Sequence, residues 1–149
     1  MEREFTGRII LSGAASGSAL VTHAGFNSLA AFYKSLVSGS TRAVCSDQNN
    51  PELFGRDMKD RILCLPQTSG STSAGATWDR VAFMDIAPRA MLFSKTIDSL
   101  GAAGLILADL WVGKRIITID QLGDEFLDFV KEGSQVNIFE TGLVRVKDI

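Results

Sequence analysis

From Arg61 onward the chain alternates between short, continuous apolar runs and longer stretches with helical spacing, and this alternation constrains the fold more than any other feature. Arg61 to Leu65, Ala90 to Phe93 and Ile116 to Ile119 are apolar apart from Arg61 and Thr118, the pattern of strands buried on both faces. After the first run, Trp78, Val81, Ala82 and Asp85-Ile86 line one face of a helix that begins near Thr72 or Ser73 and is stopped by Pro88. After the second, Thr96-Ile97-Asp98 forms an N-cap region for a helix from Ser99 to about Trp111 that is apolar nearly all round. After the third, Asp120 reads as the cap of a helix over Gln121 to Lys131, with Leu122, Phe126, Leu127 and Val130 on one face. Strands alternating with helices predict a central parallel sheet with crossover helices.

Both ends of the chain are β-rich. Phe5 to Leu11 and Ser18 to Val21 flank the small-residue connection Ser12 to Gly17, which suits a hairpin-like turn, and Val136 to Phe139 with Leu143 to Val146 read as a closing strand pair. The expected class is α/β with an added β layer. His23 to Ser40 permits either a helix or a strand pair, through Phe26, Leu29, Ala30, Phe32, Tyr33 and Leu36. Thr41 to Lys59 is a polar surface loop anchored by Leu53-Phe54-Gly55, in which Asp47 and Asn49-Asn50 face a substrate or make turns. With 149 residues, 46% of them hydrophobic, one domain spanning 1–149 is expected.

Charge and cysteine usage remove several function classes. A net charge of -2, with no basic tract longer than a pair, argues against a nucleic-acid partner. The start of the chain has acidic residues and no apolar core of a secretory signal, which points to the cytoplasm. The longest apolar run, around Gly101 to Val112, is broken by Asp109 and falls short of the roughly 20 residues of a membrane span. Cys45 and Cys64 have neither metal-ligand nor small-disulfide spacing, and Cys64 within Ile62-Leu63-Cys64-Leu65 reads as a buried, inert thiol. Two cysteines and one histidine fall short of the about four ligands of a zinc or iron–sulfur centre, so any such metal must come largely from elsewhere.

The segment Leu65 to Gly75 joins the first strand to the first crossover helix, the junction at which α/β proteins bind ligands. It comes close to a nucleotide phosphate loop, G-x-x-x-x-G-K-[ST], but Ala76 stands at the lysine position. It also misses the nucleophile elbow G-x-S-x-G, because Ser71 rather than glycine lies two residues before Ser73. His23, the only histidine, is far away in sequence and reads as a surface or core-edge residue rather than a triad base. Trp78 and Trp111 read as core or interface packing, and Asp109 as a cap, a buried pair or an interface contact. Yet Thr68, Ser69, Ser71 and Thr72 place more hydroxyls around Gly70 than one helix cap requires. Ser71 is therefore the leading functional candidate, with a small anion such as a carboxylate as ligand.

Taken in order along the chain, several pieces resemble the small subunit of the aconitase X proteins, equivalent to the swivelling domain of aconitase-like dehydratases. They are Gly7-Arg8-Ile9-Ile10, Gly13, Gly17 to Val21, Arg61-Ile62-Leu63, Gly70-Ser71, Ala87-Pro88 and Ile116 to Asp120. The resemblance implies a swivelling β/β/α domain that closes over a large subunit carrying an iron–sulfur cluster, with a small hydroxy acid bound between them. It also implies that Ser71 is the proton-abstracting base, with Ser69, Gly70, Thr72 and Ser73 orienting the substrate, and that no metal is bound by this chain. In archaeal relatives that dehydrate phosphomevalonate the loop reads G-R-G-S. Here it is Thr68-Ser69-Gly70-Ser71, with Ser69 at the arginine position. Together with Thr22 to Asn27, this makes the chain more similar to bacterial two-subunit enzymes that dehydrate cis-3-hydroxy-L-proline to delta-1-pyrroline-2-carboxylate. A phosphomevalonate dehydratase small subunit, and a non-catalytic swivelling module that binds a small anion or a protein, are the alternatives.

Overall fold

The computed structural model of the chain describes residues 1–69 and 74–148, Ala74 by its backbone alone. Its strands are β1 (Glu2–Thr6), β2 (Arg8–Leu11), β3 (Ala15–Val21), β4 (Phe26–Asn27), β5 (Ile62–Leu65), β6 (Thr68–Ser69), β7 (Ala90–Phe93), β8 (Ile117–Asp120), β9 (Gln135–Ile138) and β10 (Leu143–Lys147). The α-helices are α1 (Ser28–Ser38), α2 (Ala74–Phe83), α3 (Ser99–Leu107) and α4 (Asp124–Phe129), and α3 continues into a π-helical turn, Ala108–Val112.

Eight strands form one sheet in the order β1-β10-β9-β3-β5-β7-β8-β2. The run β3-β5-β7-β8 is parallel and the flanking pairs are antiparallel, as the alternating pattern and the β-rich ends predict. Strand β3 serves two layers. Its first half, Ala15 to Ser18, pairs with β9, and its second half, Ala19 to Val21, pairs with β5. The N-terminal strands divide in the same way, with β1 on β10 and β2 on β8. Gly7 joins them where a Cβ would lie 2.4 Å from the Asp120 carbonyl oxygen, so no side chain can replace its hydrogen without moving backbone.

Period-two alternation explains the continuous apolar runs. Leu63, Leu65, Met91 and Phe93 face one core, packed on Phe32 of α1, Trp78 and Val81 of α2 and Leu105 of α3. Ile62, Cys64, Ala90 and Leu92 face the other, packed on Val136, Ile138, Val144 and Val146 of the added β layer and on Phe126 of α4. The result is three layers, β/β/α. In the helical layer Trp78 is fully buried, with its ring centroid 5.4 Å from Phe32 and 6.2 Å from Phe26. Helices α2 and α3 meet backbone to backbone, since a Cβ on Gly104 would lie 2.7 Å from the Gly75 Cα.

Several expectations are corrected. The strands on either side of Ser12 to Gly17 do not form a hairpin, because β2 pairs with β8 and β3 with β5 and β9. Helix α1 resolves the ambiguous His23 to Ser40 stretch: the Asn27 side chain caps it through Ala30 N at 3.1 Å, and Gly39, at φ 65°, ends it. Asp120 does not cap a helix. Gln121 and Gly123 have φ of 58° and 95°, so α4 starts only at Asp124, where Asp124 and Glu125 suit the helix dipole. The fully buried Asp120 carboxylate instead accepts from Arg8 Nε and Nη2 at 2.9 and 2.7 Å and from Ile97 N at 2.8 Å. This carboxylate in turn raises the Arg8 pKa, through the hydrogen bond first and the charge second. Of the alternatives left open, Trp111, 74% exposed in this chain, is not core packing, and Asp109 forms a pair, with Arg115 at 2.8 Å.

Candidate functional site

The four parallel strands end on one edge, at Val21, Leu65, Phe93 and Asp120. Strand β5 is flanked there by β3 and β7, so the chain that leaves it is bordered by the segments that follow those two strands. Pro66 and Gln67 lead into β6, which pairs in parallel with β4, Asn27 opposite Ser69. Ser69 is exposed, and a Cβ on Gly25 would lie 3.1 Å from its hydroxyl, so glycine is what lets this turn approach β6. Gly70, Ser71, Thr72 and Ser73 lie outside the described residues, and α2 follows them from Ala74.

On the β7 side, residues 94–98 run along the start of this loop. Ser94 N donates to Leu65 O at 3.0 Å and Lys95 N to Pro66 O at 3.2 Å. The Thr68 hydroxyl donates to the Asp98 carboxylate, whose other oxygen accepts from Gly101 N at 2.9 Å and caps α3. The expected N-cap at Thr96-Ile97-Asp98 is therefore Asp98 itself. Gln121 reaches Thr96 through its amide at 3.4 Å and holds a left-handed backbone at the same edge.

On the β3 side the structure builds a cluster that the sequence does not disclose. Thr22 N donates to Cys64 O at 3.0 Å, which seats Thr22 beside the end of β5. The fully buried Thr22 hydroxyl donates to Glu52 Oε1 at 3.0 Å and accepts from Asn50 Nδ2 at 3.0 Å. Glu52 also accepts from the His23 backbone N–H at 2.6 Å and meets the His23 ring Nδ1 at 2.7 Å. His23, distant from the serine loop in sequence, thus stands at the same sheet edge, held by a carboxylate. Asp47, by contrast, makes turn contacts, accepting from Asn49 N at 2.9 Å. A histidine, a threonine and a glutamate spread over a turn and a polar loop have no shared periodicity, so only the fold brings them together.

Burial pushes the Glu52 carboxyl up, but the hydrogen bonds from the His23 backbone, the His23 ring and Thr22 outweigh it and hold the carboxyl below its ordinary value of 4.5. A depressed folded value means that the carboxylate stabilises the fold above pH 4.5, and that this contribution is lost as pH falls through the folded value. Glu52→Gln should therefore lower stability by about 0.5–1 kcal/mol at neutral pH, a modest figure because the group is partly solvated. In urea denaturation the gap between variant and parent should close as the pH is taken below 4.5. A gap that is constant with pH would show that the ionised carboxylate is not the source.

The two cysteines do not converge: Cys45 lies in the helix-side core and Cys64 in the β-layer core, and burial pushes both thiols up. No cluster of metal-ligating side chains occurs among the described residues. A cleft of about 700 Å³ opens between α1 and the 40–55 loop, lined by Tyr33, Lys34, Val44 and Phe54, and shares no residue with the strand-end edge. No helix among the described residues is long and apolar enough to cross a membrane.

The layering is that of known structures. The holo-form aconitase X of Thermococcus kodakaraensis superposes with a TM-score of 0.81 at 21% identity, over 98% of this chain and 99% of that one. A UPF0107 protein solved in solution by NMR superposes with a TM-score of 0.75 at 24% identity, over 99% of both chains. No match is found among curated proteins. At these identities the superpositions speak for the fold alone; the sequence itself matches the family model of the aconitase X swivel domain over residues 4–146. A β/β/α domain whose sequence matches that model almost end to end belongs to the aconitase X swivel domain family.

Proposed function

We propose that this chain is the small subunit of an aconitase-like hydro-lyase that dehydrates cis-3-hydroxy-L-proline at a site shared with a larger subunit. The observation that supports the reading is the family match over residues 4–146, and the strand-end edge with its serine loop is the face assigned to it in this reading. Ser71, as an alkoxide-like group, removes the proton alpha to the substrate carboxylate. The electron pair left behind forms the new carbon–carbon double bond as the neighbouring hydroxyl departs, and the product rearranges to delta-1-pyrroline-2-carboxylate. Such a base needs its charged form favoured, and the glycine-rich composition of the loop and the dipole of the helix that follows it support this. Ser69, Gly70, Thr72 and Ser73 orient the substrate. An iron–sulfur cluster on the large subunit supplies Lewis-acid chemistry at the substrate oxygens. Serine rather than arginine at position 69 supports an unphosphorylated substrate over phosphomevalonate, because a phosphate is best held by a guanidinium fork.

Co-expression with a cysteine-rich large aconitase X subunit tests the proposal. The expected result is a co-purifying brown complex that dehydrates cis-3-hydroxy-L-proline, with neither chain active alone. Turnover of phosphomevalonate in preference to the hydroxyproline would reassign the substrate. A colourless chain that binds no partner and turns over neither compound would leave the non-catalytic module as the function.

A further inference from the structure

The serine loop contains no cation, although the proposed substrate is a carboxylate and the base must become anionic beside it. Among the described residues the basic side chains with no hydrogen-bond or ion-pair partner are Lys34, Arg80, Lys95 and Lys147. Lys34 lies on α1 beside the separate cleft, Arg80 in the last turn of α2, and Lys147 at the end of β10. Lys95 alone stands at the carboxyl edge of the parallel strands.

Its backbone is fixed from both sides. Lys95 N donates to Pro66 O at 3.2 Å, which ties it to the start of the serine loop, and its carbonyl accepts from Gln121 N at 3.0 Å. Two carboxylates of the same wall accept hydrogen bonds from other groups. Asp98 holds Thr68 and the start of α3, and Asp120 holds Arg8 and Ile97 N. The other candidate cation on this edge, His23, is matched by Glu52 at 2.7 Å. Lys95 is therefore a cation at this edge whose side chain has no ion-pair partner among the described residues. Beside it the Ser94 hydroxyl, 4% exposed, has no hydrogen-bond partner. An exposed ammonium and an unsatisfied hydroxyl on consecutive residues, next to a loop that opens a helix, favour a small carboxylate ligand.

We propose that Lys95 binds the substrate carboxylate; the proposal rests on the strand-end edge being the reaction site. The test uses the complex with the large subunit, carrying Lys95→Met or Lys95→Arg. Lys95→Met should raise KM for cis-3-hydroxy-L-proline about tenfold or more while kcat stays within about threefold, and Lys95→Arg should retain most of the wild-type KM. L-Proline has the carboxylate but no departing hydroxyl, so its binding to the complex by calorimetry reads the same contact without turnover. It should weaken about tenfold in Lys95→Met, and L-prolinamide binding should not change. An unchanged KM and an unchanged L-proline affinity in Lys95→Met overturn the assignment, as does a loss confined to kcat. A wild-type complex that binds L-proline but turns over no hydroxy acid would instead overturn the hydro-lyase reading and leave Lys95 to be judged by the calorimetry.

Discussion

In the complex with the large subunit, Ser71→Ala is expected to lower kcat for dehydration by about 10²–10⁴-fold, the range supplied by a positioned general base. Substrate affinity should change little, because the hydroxyl contributes mainly when it accepts the proton in the transition state. The isolated variant should melt at the temperature of the parent and still bind the partner. Steady-state kinetics alongside a thermal melt separate the two outcomes. Turnover within tenfold of wild type in a properly assembled complex would remove Ser71 as the base. Thr72→Ala and Ser73→Ala, which lose orienting contacts only, should be milder.

Trp78→Ala should be the most damaging single truncation in the helical layer, at about 3–5 kcal/mol. The indole is fully buried, stacked at 29° to Phe26 and edge-on at 71° to Phe32, so it joins α2 to both β4 and α1. Its removal leaves a cavity that neither ring can fill without moving a backbone segment. It also loosens the first turns of α2, which directly follow the serine loop, so activity should fall along with stability. Trp78→Phe should cost much less. It keeps most of the volume and deletes an indole N–H that is buried without a hydrogen-bond partner. Chemical denaturation of the three proteins checks this, and a loss below about 1 kcal/mol in Trp78→Ala would show that the layer repacks freely.

The central sheet was legible because its strands are buried on both faces, so each apolar run carries the signal of two cores at once. The closing β9–β10 pair was legible from its own alternation. What failed was pairing between remote segments. Nothing local tells β2 and β3 that their partners lie on β8 and β5 rather than on each other. Asp120 misled because a carboxylate before an apolar periodic stretch looks the same whether it caps a helix or accepts from a distant arginine. The glycine- and serine-rich loop stood out through its composition, while Gly70 to Ser73 lie outside the described residues. Glu52 did not, since its role depends on a turn thirty residues away.

Strand β1 pairs in register with β10, Glu2 opposite Lys147 and Thr6 opposite Leu143. During synthesis this strand must wait for nearly all of the remaining chain before its partner leaves the ribosome, whereas the parallel strands find theirs earlier. Glu2, Arg3 and Glu4 are exposed along it and only Phe5 turns into the core. Through that interval these charges guard an open edge against pairing with another nascent chain.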